Sequence, residues 1–178
     1  MPNTQKEAGL GDINARFKVY IANRPNFADF QTLQTIKSLS NAEITAIGKA
    51  CGNGWRKVFN VYAKLVFALN SETLVPLRQS DSWQGFRDNL LLSKGSNTSL
   101  LFTEPKHSNK GIQLVMGKTY AKSLGLSLEW INHDFAIEAK SGIIVCPYFD
   151  YRQLSNIKII TLVELIKQQN ATLSSSEL

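Results

Sequence analysis

The stretch from Gly142 to Ile166, GIIVCPYFDYRQLSNIKIITLVELI, constrains the fold of this chain most strongly. Ile143 to Cys146 is a short apolar run, and Pro147 stops it because proline cannot donate to a strand ladder. A polar and aromatic loop follows, Tyr148 to Gln153. Ile157 to Ile160 reads as a second apolar run and a further strand. Thr161 and Glu164 then have the spacing of a capping box, which opens a closing helix. The unit is therefore expected to run strand, loop, strand and helix.

The same alternation occurs upstream. Phe17 to Ala22 alternates apolar and polar residues as a strand does, and Asn23-Arg24-Pro25-Asn26 ends it. Thr32 to Leu39 is expected to be helical, followed by a helix from Ser40 or Asn41 to Ala50. Gly52-Asn53-Gly54 breaks that helix. From Trp55 to Leu69, the residues Trp55, Val58, Phe59, Tyr62, Val66 and Leu69 recur at three- and four-residue spacing, the pattern of an amphipathic helix. Pro76 marks a loop, and Asp81 or Ser82 caps a helix through Leu91. Thr98 to Thr103 and Ile112 to Met116 read as strands, with a polar loop at Lys106 to Lys110 between them. Gly117 leads into a helix ending near Gly125. Leu128 to Ile131 reads as an extended piece, and Asp134 to Ala139 as a turn or strand. Strands alternating with helices predict an α/β fold of three layers, with a mainly parallel central sheet flanked by helices. The expected organisation is a flexible tail over residues 1–15, one α/β domain over 16–168 and a polar tail over 169–178.

Composition narrows the class. A chain that is 43% hydrophobic and 19% charged suits a globular domain. Its apolar runs are too short to span a bilayer, and no N-terminal apolar segment resembles a signal peptide. No membrane partner is expected, and the cytoplasm is the expected compartment. Cys51 and Cys146 stand far apart and set neither a disulfide framework nor a zinc pattern. Cys146 reads as a reduced core residue. The formal net charge is +6. Two intervals lack acids: Glu43 to Glu72 contains Lys49, Arg56, Lys57 and Lys64, and Glu104 to Glu129 contains Lys106, Lys110, Lys118 and Lys122. Such intervals suit a polyanion, or equally a solvated basic surface.

Complete catalytic motifs are lacking. Gly117-Lys118-Thr119 has the end of a phosphate-binding loop, but that motif requires glycine where Ile112 stands. The N–H groups at Gly117, together with Lys118, keep a weaker anion-binding reading. Glu138-Ala139-Lys140 is an E-x-K element. On one strand it would put a carboxylate and an ammonium on the same face, as in metal-dependent nucleases, with Glu129 or Asp134 as the upstream acid. His107 and His133 match no zinc spacing. No cofactor or metal ligand set follows from these residues.

Ile21-Ala22-Asn23-Arg24-Pro25, the run at residues 114–126 and IIVCPYFDYRQLSN at residues 143–156 together form a skeleton that resembles the uracil-DNA glycosylase superfamily. The resemblance implies that Asn23 and Pro25 lie in the water-activating loop, and that Pro147 lies in the loop that wedges into DNA. The chain departs from that pattern with Cys146 in place of the histidine before the proline and Tyr148 in place of the serine after it.

Ligands of open α/β sheets bind at the carboxyl ends of strands. The candidate site therefore comprises Asn23, Arg24, Tyr148, Asp150, Tyr151 and Arg152, with Lys118 nearby. Aromatic rings beside arginine suit a stacked base, so a nucleotide or nucleic acid is the expected partner. The structural alternative is that the rings cover the sheet edge and an Asp150–Arg152 pair staples the turn. Two further classes stay open: a nuclease-like or glycosylase-like enzyme acting on nucleic acid, and an interaction module without chemistry.

Overall fold

A computed structural model describes residues 6–69, 80–107 and 110–176. Eight strands form one sheet: β1 Gly9–Gly11, β2 Phe17–Tyr20, β3 Ile36–Lys37, β4 Thr98–Leu101, β5 Ile112–Met116, β6 Leu128–Trp130, β7 Ala136–Glu138 and β8 Ile144–Cys146. Five α-helices accompany them: α1 Glu43–Cys51, α2 Asn53–Leu69, α3 Trp83–Asn89, α4 Lys118–Ser123 and α5 Asn156–Ser176. The loop expected at Pro76, residues 1–5 of the expected tail and part of the Lys106 to Lys110 loop lie outside the described residues.

The sheet order is β3-β1-β4-β2-β5-β8-β7-β6. Its centre, β4-β2-β5-β8, is parallel throughout. Antiparallel pairings join β1 to β4, β7 to β8 and β6 to β7. The sheet is therefore mixed, whereas a mainly parallel one was expected. β6 and β7 lie where an extended piece and a turn or strand were read, whereas β1 comes from a segment whose pattern hid a strand. β1 is only Gly-Leu-Gly. It fits because a side chain at Gly9 would collide with the carbonyl of Leu100 on the neighbouring strand. Gly9–Gly11 consequently belongs to the sheet, and residues 8–15 are not a loose tail, with Ala8, Leu10 and Ala15 buried.

Alternation along the strands separates two cores. Phe17, Val19, Leu114, Met116, Ile144 and Cys146 pack with α1, α2, α3 and α5 on one face. Tyr20, Val115 and Val145 face the other way and pack with Ala121 of α4. The helices thus flank both faces of the sheet, and among the described residues α4 is the one helix on its side. Helix α2 anchors the larger core. Its stripe Trp55, Val58, Phe59, Tyr62, Val66 and Leu69 is buried as its spacing predicts. The Tyr62 hydroxyl reaches the sheet and donates to the carbonyls of Ser99 at 2.8 Å and Phe17 at 3.3 Å.

Four local expectations are corrected. Ile157 to Ile160 belongs to α5 and forms no strand. Ile157 and Ile160 are 78% and 65% exposed, while Ile159, Leu162, Val163 and Ile166 are buried, which is helical periodicity. The helix is capped nearly two turns earlier than the Thr161–Glu164 pair implies, by Ser155, whose Oγ accepts the Lys158 N–H at 3.4 Å. The polar residues after Gln168 continue that helix to Ser176. Residues 32–39 form no helix either: a 3-10 turn at Phe30–Thr32 leads into β3. The Arg24 guanidinium fixes this turn by donating to the carbonyls of Phe30, Gln31 and Leu33 at 3.1 to 3.2 Å. Elsewhere the expected elements form. Ser82 caps α3 by accepting the Gly85 N–H at 3.0 Å, and β5 spans Ile112–Met116 as read.

Candidate functional site at the carboxyl ends of the parallel strands

The chain leaves β2 toward β4 across the face that holds α1, α2 and α3. It leaves β5 across the opposite face, through α4. The loops after β2 and β5 therefore diverge, and neighbouring parallel strands whose connections part in this way open a crevice at their carboxyl ends. A cleft of about 860 Å³ lies at that point. Ala22 after β2, Gly117 and Lys118 after β5, and Pro147, Tyr148 and Arg152 after β8 all line it.

Each wall has a local cause. Gly117 adopts φ +96°, a left-handed conformation that L side chains avoid, and this turns the chain from β5 into α4. Its N–H donates to the Cys146 carbonyl at 2.8 Å, so it is spent on the sheet and the anion cradle read at Gly117 loses that donor. Lys118 remains, half-buried at the cleft, with its Nζ 5.1 Å from the centre of the Trp130 ring. The loop after β8 is held by Asp150. Its Oδ1 accepts the backbone N–H of Arg152 at 2.9 Å, and its Oδ2 accepts Arg152 Nη2 at 3.2 Å and Lys57 Nζ at 3.3 Å. Hydrogen bonds from the Arg152 side chain and N–H, joined by Lys57, pull the Asp150 carboxyl down to about 2. Asp150 therefore staples the turn and presents Arg152 to the cleft without lining it.

Tyr148 is half-buried, and its hydroxyl donates to Asn23 Oδ1 at 3.3 Å, linking the loops after β2 and β8. Burial raises its pKa, so it stays a hydroxyl at neutral pH. The opposite wall is the hairpin formed by β6 and β7. His133 and Asp134 at its tip line the cleft, and Asp134 pairs with Lys158 of α5 at 3.1 Å.

Of the seven residues singled out in the sequence, Lys118, Tyr148 and Arg152 line the cleft, and Asn23 touches it through Tyr148. Arg24 turns away to fix residues 30–33 and stacks its guanidinium 5.1 Å from the Phe102 ring centre. Tyr151 points outward, 56% exposed, with Lys57 Nζ 5.2 Å from its ring centre. Sequence reasoning missed Lys158 because it lay inside a segment read as a strand. Asp134 was weighed only as the upstream acid of a nuclease-like set, and His133 only against zinc spacing, which it does not match.

The other candidate groups are structural. Cys146 is fully buried, and burial pushes its thiol far above the usual range. It offers no charge where the resembled family has a histidine. Glu138 ends β7, where burial opposes its charge. The Ser141 hydroxyl, the Ser127 N–H and His107 Nδ1 at 3.0 Å outweigh that effect and hold it ionised. Lys140 lies exposed in the turn that follows, off the strand that carries Glu138. Among the described residues no three His, Cys, Asp or Glu side chains are grouped to hold a metal ion. No described helix is long and apolar enough to cross a membrane.

No curated protein and no solved structure matches the chain. A family model matches residues 8–167, from the start of the sheet into α5, and the chain thus belongs to the family of unknown function DUF6942.

Proposed function

We propose that the cleft binds one nucleotide unit, free or within a nucleic-acid strand. One observation carries this reading: Lys118, Tyr148 and Arg152 come from loops after two parallel strands and meet in a single cleft at the switch point of the sheet. Two of them are cations that suit a phosphate, and the third is a half-buried ring that suits a base. Lys158 adds a third cation, shared with Asp134. The +6 net charge would draw a polyanion toward the site.

The test is fluorescence anisotropy of a labelled oligothymidylate against wild type, Lys118→Ala and Arg152→Ala at several salt concentrations. Each substitution is expected to weaken binding about tenfold and to reduce the salt slope by about 1. If wild type does not bind at sub-millimolar concentration, or if both variants bind like wild type, the reading fails.

A glycosylase-like activity is the second reading. The Asn23–Tyr148 hydrogen bond favours it, because it joins the two loops that the resemblance designates. With Cys146 buried and uncharged, such chemistry would need another group to stabilise a departing base, and His133 brings an imidazole to the cleft. Base release from a uracil-containing strand that His133→Ala abolishes would support it. No release by wild type would remove it.

A further inference from the structure

A second pocket, of about 220 Å³, opens where α1, α2 and α3 meet, and it shares no lining residue with the cleft. Ile44, Gly48 and Phe59 form its apolar floor. Lys49, Arg56 and Arg87 supply three cations, and no acid lines it among the described residues. Arg87 is fixed in place: it donates to Asn60, which also lines the pocket, at 2.7 Å and to the adjacent Asp88 at 2.7 Å, and lies 5.4 Å from the Trp83 ring centre. Asp88 offsets one of the three charges. The other two have no acidic partner among the described residues. Arg56 donates to the neutral Asn53 side chain, at 3.2 Å.

Two locally unfavourable choices coincide here. Arg56 stands in the first turn of α2, where a cation opposes the helix dipole, and that turn holds no acid to offset it. Gly48 stands inside α1, where glycine is a poorer helix former than alanine. A Cβ at Gly48 would come within 2.8 Å of Arg56 Cγ, so the glycine makes room for the arginine. Lys49 is explained by the dipole, since it lies in the last turn of α1. Arg56 and Gly48 are not. Departures from local preference that meet at one concave, basic spot mark functional positions.

We propose that this pocket binds a small organic anion. Arg56, Lys49 and Arg87 would hold its charged group, and Ile44 and Phe59 would take its compact apolar body. A carboxylate and a phosphate share this chemistry.

The experiment is calorimetric titration of the full chain with phenyl phosphate, benzoate and inorganic phosphate. At least one organic anion is expected to bind more tightly than inorganic phosphate, and the tighter of the two names the headgroup. Lys49→Gln combined with Arg56→Gln is expected to weaken that anion about tenfold or more. Arg56→Lys should recover part of the loss, and Lys118→Ala in the cleft should leave it unchanged. The exposed positions of Lys49 and Arg56 keep the double variant folded, which thermal unfolding will verify. The proposal is overturned if no organic anion binds or inorganic phosphate binds as tightly as both. It is equally overturned if the double variant binds like wild type, or if Lys118→Ala is the change that abolishes binding.

Discussion

Asp150 is the residue whose removal tests the architecture of the cleft most sharply, because it fixes Arg152 without lining the site. Its carboxylate accepts bonds from the Arg152 N–H, the Arg152 guanidinium and Lys57. A carboxyl held at about 2 instead of the ordinary value near 4 corresponds to roughly 2–3 kcal/mol of folding stability. The Arg152 side chain is 68% exposed, so solvent screening reduces this to about 1 kcal/mol. The folded-state pKa is the lower one, which fixes the direction. The contribution is complete above the unfolded value near 4 and is lost as pH falls through about 2. Asp150→Asn keeps the shape and removes the charge. Urea unfolding should show the variant about 1 kcal/mol less stable at pH 7, with the difference shrinking toward zero near pH 2. Equal stability at pH 7, or a difference that persists unchanged at low pH, would refute the charge-based staple.

Other expectations concern single contacts. Ser155→Ala should cost about 1 kcal/mol in urea unfolding because it removes the cap of α5, while Thr161→Ala should cost less than about 0.5 kcal/mol. Gly117→Ala meets no closer neighbour than a Tyr148 ring carbon at 3.9 Å, yet its φ of +96° should make it about 1–2 kcal/mol less stable by the same assay. Tyr62→Phe removes the buried hydroxyl that donates to the Ser99 and Phe17 carbonyls, and should lower stability by about 1 kcal/mol.

Long periodic segments and proline-stopped runs were legible from the amino acids alone. Helix α2 carries its apolar residues at three- and four-residue spacing along its whole length, so its stripe had to face the core. β5 and β8, buried on both faces, read as the continuous apolar runs that parallel strands require. The illegible parts share one physical cause, namely pairing decided by the rest of the fold. Gly9–Gly11 has no strand pattern and pairs because glycine lets Leu100 approach; the family match, which begins at residue 8, includes it. Ile157 to Ile160 is too short to separate strand from helix by composition, and only Leu162, Val163 and Ile166 continue its helical face into the core. At the cleft, proximity of Tyr148, Lys118 and Arg152 followed from strand ends, so it could be read in advance. Arg24 could not, since its direction depends on three carbonyls of a turn that the sequence presented as a helix. Lys158, Asp134 and His133 arrive from α5 and an antiparallel hairpin, and no motif relates them.

The central claim is that one nucleotide unit occupies the cleft at the carboxyl ends of β2, β5 and β8. Amide NMR of the labelled chain titrated with thymidine 5′-monophosphate tests it most directly. The account predicts saturable shifts centred on Gly117, Lys118, His133, Tyr148 and Arg152, all of which line the cleft. Saturable shifts confined to other surfaces, or none at millimolar nucleotide, would contradict it.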